Sequence, residues 1–288
     1  YMRGRMNDAK SYAQPQPLNE TMIGGTVGEV VESRNPKFAV RDKVVGMGGW
    51  QQFSTASGKG DISKVDTTHI PLSAYLGSVG MPGMTAWYGL MKICEPKAGE
   101  TVCVDAASGA VGSVVGQLAK LKGMHVVGIA GGVEKCAYVK NELGFDDCID
   151  YKAFPDPKAF YSALKAVTPR GIDCHFENVG GTIMDAVMLR MNAFGRVAMC
   201  GMISGYNGAP IPMMAPQLIL QSRLKFQGFI VSEHMNLWPE GLTELGGYVA
   251  SGKIKFRESI AHGLANAPQS FLDLLKGKNF GKQLVNLV

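Results

Sequence analysis

Cysteine is sparse, and the six that occur (Cys94, Cys103, Cys136, Cys148, Cys174 and Cys200) include no CxxC pair. That spacing excludes a disulfide-stapled scaffold and a thiolate zinc cluster, and scattered thiols in apolar runs suit a reducing, cytoplasmic compartment. Histidine is scarcer still. His69, His125, His175, His234 and His262 show no i, i+4 ligand spacing, so each reads as an ordinary polar residue and no metal site is expected. Charged residues make up 18% of the chain, below the roughly 25% of typical domains, and no basic run accompanies the net charge of +5. A nucleic-acid partner is not expected. The two long uncharged stretches, 67–91 and 197–222, are broken by prolines and glycines, so neither predicts a membrane span. Low-complexity tracts and a three-residue glycine period are absent as well, which excludes linker and collagen-like architectures.

What is present is glycine, 37 residues in 288, and a hydrophobic fraction of 46%. That length favours two domains, with apolar side chain enough for packed cores. From Thr101 onward, β-branched runs at 101–104, 125–129, 147–149, 172–176, 196–200 and 224–226 recur about every 24 residues, as buried parallel strands do. Segments of helical length separate them, such as 111–122, with Val111, Val114, Val115, Leu118 and Leu121 on one side, and 133–143. Strand and helix alternate, so the expected fold is α/β, a doubly wound parallel sheet of Rossmann type with ligands at the strands' carboxyl ends. Before it, 25–32 and 42–46 alternate in the β manner around turn residues and predict a small antiparallel domain. The tail predicts a strand at 256–260, a helix at 268–275 capped by Asn266, and a strand at 283–288 that rejoins the β domain.

The strongest local signal is Asp105-Ala106-Ala107-Ser108-Gly109-Ala110-Val111-Gly112 between a strand and a helix. It is a dinucleotide fingerprint with Ala107 in place of the first glycine. Gly109 admits the pyrophosphate to the backbone, Gly112 permits close helix–strand packing, and the helix start offers N–H groups to phosphate. About 20 residues on, where an NAD site carries an acid, stands Ala130-Gly131-Gly132, with Lys135 in the next helix. That combination favours NADP.

These residues, with Glu177-Asn178-Val179-Gly180-Gly181, Met81-Pro82-Gly83-Met84-Thr85-Ala86 and Lys276-Gly277-Lys278-Asn279-Phe280-Gly281-Lys282, resemble the zinc-independent double-bond reductase branch of the medium-chain dehydrogenase/reductase superfamily. The resemblance runs the whole chain. It implies a GroES-like β-barrel domain at 1–74, truncated of its first strands, an NADP-binding domain at 75–255, and a return to the barrel at 256–288. It further implies that Lys135 and Tyr151 meet the adenosine 2′-phosphate, that Gly109, Ala110 and Val111 cover the pyrophosphate, and that Asn178, Phe229 and Asn279 surround the nicotinamide. Met84 and Thr85 would lie beneath that ring, Tyr206 would reach ribose and substrate, and Tyr1 would flank the pocket. The implied activity is NADPH-dependent reduction of the carbon–carbon double bond of α,β-unsaturated ketones and aldehydes, small-molecule enones and enals, by a protein that is often a homodimer. Quinone reduction is a second enzymatic reading. A non-catalytic NADPH-binding sensor is a third.

Overall fold

The computed structural model describes residues 2–8, 11–208 and 211–287. The first strands are β1 (Thr26–Glu29), β2 (Lys43–Gly46) and β3 (Ile62–Lys64), an antiparallel sheet in that order. Helix α1 (Met81–Tyr88) runs on as a π-helical turn, Gly89–Cys94, into the larger sheet. That sheet comprises β4 (Thr101–Val104), β5 (His125–Ala130), β6 (Asp147–Asp150), β7 (Ile172–Glu177), β8 (Met191–Met199) and β9 (Lys225–Gly228). Its helices are α2 (Gly112–Leu121), α3 (Val133–Asn141), α4 (Pro157–Val167), α5 (Gly181–Met188), the short α6 (Gln217–Gln221) and α7 (Trp238–Ala250). The order β6-β5-β4-β7-β8-β9, parallel throughout, is the doubly wound arrangement that the alternation of strand and helix predicts.

Burial explains the unbroken apolar runs. On β4 every residue is buried, with Val102 and Val104 facing α1 and α2 while Cys103 faces the opposite cluster built by α4 and α5. Successive side chains leave a strand on opposite faces, so a sheet covered on both sides must be apolar at both registers. The helix start signals are equally physical. Asp156 accepts from the Ala159 N–H at 2.9 Å ahead of Pro157, a capped α4 with proline in its first turn.

Several expectations need correction. Strand β8 begins at Met191, five residues before the predicted start, because Met191 pairs with Ile172 and Arg196 with Cys174, and the extra residues of β8 between them, including the turn-like Asn192 and Gly195, bulge out of the ladder. Leu121 is 40% exposed and leaves the buried stripe of α2, which ends there. The tail forms β10 (Glu258–His262), α8 (Ala267–Leu275) and β11 (Lys282–Asn286). Strands β10 and β11 pair in parallel with each other and, among the described residues, not with β1, β2 or β3. The tail meets the small sheet's region through α8, where Phe271 stands edge-on to Trp50. Asn266 does not cap α8, since its amide donates to His262 O. No helix among the described residues is long and apolar enough to cross a membrane.

Gly116 fixes how closely α2 approaches the chain entering β6. A Cβ there would stand 1.8 Å from Phe145 Cζ. Gly116→Ala is expected to destabilise the protein by about 1–3 kcal/mol, the usual range for overpacking. Thermal unfolding checks this, and adding Phe145→Leu should restore part of the loss.

Candidate active site

The sheet register sets the site. Val104 pairs with Phe176, Phe176 with Ala198, and Met199 with Gly228, so the residues after β4, β7, β8 and β9 emerge side by side along one edge. After β4 the chain turns sharply. Ala106, beside the Ala107 that replaces the first glycine, takes a left-handed φ of 44°, and Gly109 N–H donates to Ala106 O at 2.8 Å. A Cβ on Gly112 would stand 2.5 Å from Ala106 O, and one on Gly109 3.1 Å from the same atom. Glycine at both positions lets the turn fold onto the start of α2, where Ala110 and Val111 stand half-buried and no side chain caps the helix. An uncapped start leaves N–H groups and the positive end of the helix dipole for an anion.

At the ends of β5 and β6, a Cβ on Gly131 would lie 2.9 Å from Tyr151 Cε1 and 3.1 Å from Lys152 Cε. Lys135 is near enough that burial, and then the Lys152 ammonium, lower its pKa. A Lys135 ammonium held down by burial and by a neighbouring cation gains from an anion such as phosphate beside it. Lys135 Nζ is engaged, donating to Gly277 O at 2.7 Å. Lys152 escaped the sequence reading, although its signal was adjacency to Tyr151. Folding also supplies a carboxylate that 130–132 lacks: Asp150 Oδ1, from the end of β6, accepts from Gly132 N–H at 2.7 Å and Lys152 N–H at 3.0 Å. That oxygen is occupied by main chain, and the lysines outnumber it.

The tail closes this edge. Gly281 forms an isolated parallel bridge with Gly109, and Asn279 Nδ2 donates to Gly281 O at 2.7 Å, so 277–281 straps the turn and α3 together. Asn178 joins the turn from β7: its N–H donates to Asp105 Oδ1 at 2.7 Å and its Nδ2 to Asp105 O at 3.1 Å. Phe229, after β9, rests on Tyr88 and edge-on against Phe176. Tyr206 lies in the loop after β8, its hydroxyl 2.8 Å from where a Cβ of Gly201 would stand. Burial raises its pKa, so the phenol keeps its proton at neutral pH. Arg3 Nε ties the N-terminal segment to this loop by donating to Asn207 Oδ1 at 2.6 Å.

Three expected residues stand differently. Met84 is 1% exposed and packs against Gly241 of α7, so its side chain belongs to the core rather than to the site's floor. Thr85 is half-buried and turns its hydroxyl to Met81 O at 2.7 Å, within its own helix. Tyr1 lies outside the described residues.

Beneath the edge sits a cluster absent from the sequence reading. Asp105, His175 and Glu177 are fully buried, with one potential metal-ligand atom of each within 4.8 Å of the others. His175 Nδ1 lies 3.1 Å from Cys103 O and Nε2 3.1 Å from Glu177 Oε2, while Glu177 Oε1 accepts from Val179 and Gly180 N–H at 2.6 and 2.7 Å. Burial works against the Glu177 charge, yet His175 and these N–H groups hold its pKa down to about 2. The imidazole and the Glu177 carboxylate thus already have protein partners. The available signal was the i, i+2 pair His175 and Glu177, two polar side chains on one face of an otherwise apolar central strand.

Comparison with known proteins shows the family. Residues 1–65 match the family model described as the N-terminal domain of oxidoreductase, and 110–246 the one described as zinc-binding dehydrogenase. The chain is 44% identical to the NADPH-dependent curcumin reductase of Escherichia coli, across 100% of its own length and 84% of that protein's. It is 42% identical to the NADP(+)-dependent 2-alkenal reductase of Nicotiana tabacum, across 99% and 83%. The crystal structure of CurA from Vibrio vulnificus in complex with NADPH superimposes with a TM-score of 0.92 at 46% identity, covering 100% of this chain and 86% of that one. The chain belongs to the zinc-independent double-bond reductase branch of the medium-chain dehydrogenase/reductase superfamily.

Proposed function

We propose that this protein reduces the carbon–carbon double bond of small α,β-unsaturated ketones and aldehydes with NADPH. The carrying observation is one sheet edge with paired lysines at one end, a glycine-lined turn in the middle and the Tyr206 phenol at the other. Relatives named curcumin reductase and 2-alkenal reductase support the substrate class. Six unpaired thiols support work in a reducing, cytoplasmic compartment.

The residues fit the cofactor. Lys135, Lys152 and Tyr151 would hold the 2′-phosphate, and Gly109, Ala110, Val111 and Gly112 the pyrophosphate, where any Cβ on Gly112 would strike the turn. Asn178 and Phe229 stand at the carboxyl ends of the next strands, where the nicotinamide end would lie, and Asn279 flanks the turn through the strap. NADPH, when bound, supplies the hydride that reaches the substrate's β-carbon. Charge then gathers on the substrate carbonyl oxygen, and the Tyr206 O–H, protonated at neutral pH, hydrogen-bonds it more strongly there than in the ground state.

Incubation with NADPH deuterated at the transferred position should yield saturated ketone labelled at the β-carbon; turnover of quinones without enones would refute the assignment. Tyr206→Phe is expected to lower kcat for enones by about 10- to 100-fold with NADPH affinity nearly unchanged. A wild-type rate would make Tyr206 a packing residue. Lys135→Ala should raise the NADPH dissociation constant by about one to two decades, the range for a hydrogen bond to a charged group, while NADH binding barely changes. Fluorescence titration distinguishes this from equal loss of both.

A further inference from the structure

Asp105 is the one member of the buried cluster with an unsatisfied atom. Its Oδ1 accepts from Asn178 N–H, yet Oδ2 is buried with no donor in hydrogen-bonding range. The Glu177 carboxyl stands close by, one ligand atom from each of Asp105, His175 and Glu177 lying within 4.8 Å of the others, and His175 Nε2 is 4.0 Å from Oδ2. His175 is committed on both nitrogens, to Cys103 O and to Glu177 Oε2. Among the described residues the remaining titratable neighbours are Cys103 and Cys200, thiols pushed up first by burial and then by these carboxyls, and therefore uncharged. Two neighbouring buried carboxyls without a cation for each do not both ionise, and Glu177 holds the better set of donors.

We infer that Asp105 sits in this cluster as a neutral carboxylic acid and is a positioning residue: its O–H donates to Glu177 while its other oxygen holds the Asn178 N–H, locking the loop after β7 to the turn after β4. Burial and the Glu177 charge both raise its pKa far above the carboxylate range, in keeping with that assignment. The main chain completes the lock, since Asp105 O accepts from the Asn178 amide and Glu177 gathers the N–H groups of Val179 and Gly180. A single proton thus keeps two cofactor-facing loops in register. Its value to catalysis rests on the proposed function, in which both loops meet NADPH.

Asparagine is the neutral isostere of the acid: it can accept from Asn178 and donate to Glu177. Asp105→Asn should therefore keep the NADPH dissociation constant within about threefold of wild type, whereas Asp105→Ala, which removes both bonds, should raise it about 10- to 100-fold. Binding of 2′-AMP, which lacks the 5′-phosphate and so reaches only the Lys135 end, should change little in either variant, and this separates local positioning from general damage to the fold. At neutral pH, the infrared difference spectrum between wild type and Asp105→Asn should show the carbonyl stretch of a protonated carboxyl. Carboxylate bands in its place, an asparagine variant as weak as the alanine one, or unchanged NADPH affinity in Asp105→Ala would each overturn the inference. If Asp105→Ala fails to fold, the infrared band and the Asp105→Asn affinity still decide it. A protein that binds NADPH and passes these tests but reduces no enone would keep the lock and lose the proposed function.

Discussion

Six strands running in one direction put six carboxyl ends on one edge, and nearly every feature of this protein follows from that constraint. A parallel strand can be reached only by a crossover, and here helices on both faces supply it. Each crossover begins where a strand ends, so the loops that could hold a ligand are forced together on one side. At the centre, between β4 and β7, consecutive crossovers depart in opposite directions and leave a crevice. The turn at Gly109 and the loop at Asn178 are the two lips of that crevice.

Converging strand ends also bring charge into a dry interior. Glu177 would be costly alone, but it collects two main-chain N–H groups and an imidazole, and the same bonds shape the loop that follows β7. Arg196 and Glu100 do comparable work at the opposite edge of the sheet. The guanidinium meets Glu100 through Nη1 at 3.0 Å and Nη2 at 2.5 Å and also donates to Cys94 O, closing the bottom of β8 against the π-helical turn. Polar groups at both ends of the strands are thus tied to backbone, while the middle is apolar.

The tail adds a third wall. By bridging Gly281 to Gly109 and receiving the Lys135 ammonium at Gly277, the segment 277–281 lies across the start of two helices from different crossovers. On the proposed function, the Lys135 ammonium would exchange Gly277 O for the 2′-phosphate, or share itself between them, when NADPH binds. Strap and binding end are therefore mechanically linked.

Local chemistry made much of this legible in sequence. Buried strands, helix starts and the glycine turn are written in runs of neighbouring residues, because steric freedom at Gly109 and Gly112 and burial on both faces of β4 act over a few positions. Alternation of strand and helix implied parallel strands with loops on one edge, whereas Tyr206 and Asn178 were singled out there by the family resemblance. What only the tertiary structure decided are pairings between residues far apart in the chain. Asp150 reaches Gly132 from another strand, the tail crosses Gly109, and Asp105 meets His175 and Glu177 across β4 and β7. Met84 shows the same limit from the other side: its motif position placed it near the ligand, but the choice between site and core was made by Gly241, 157 residues later, whose missing side chain opened a space in α7 for its sulfur. Such contacts depend on through-space geometry, which no local run of residues encodes.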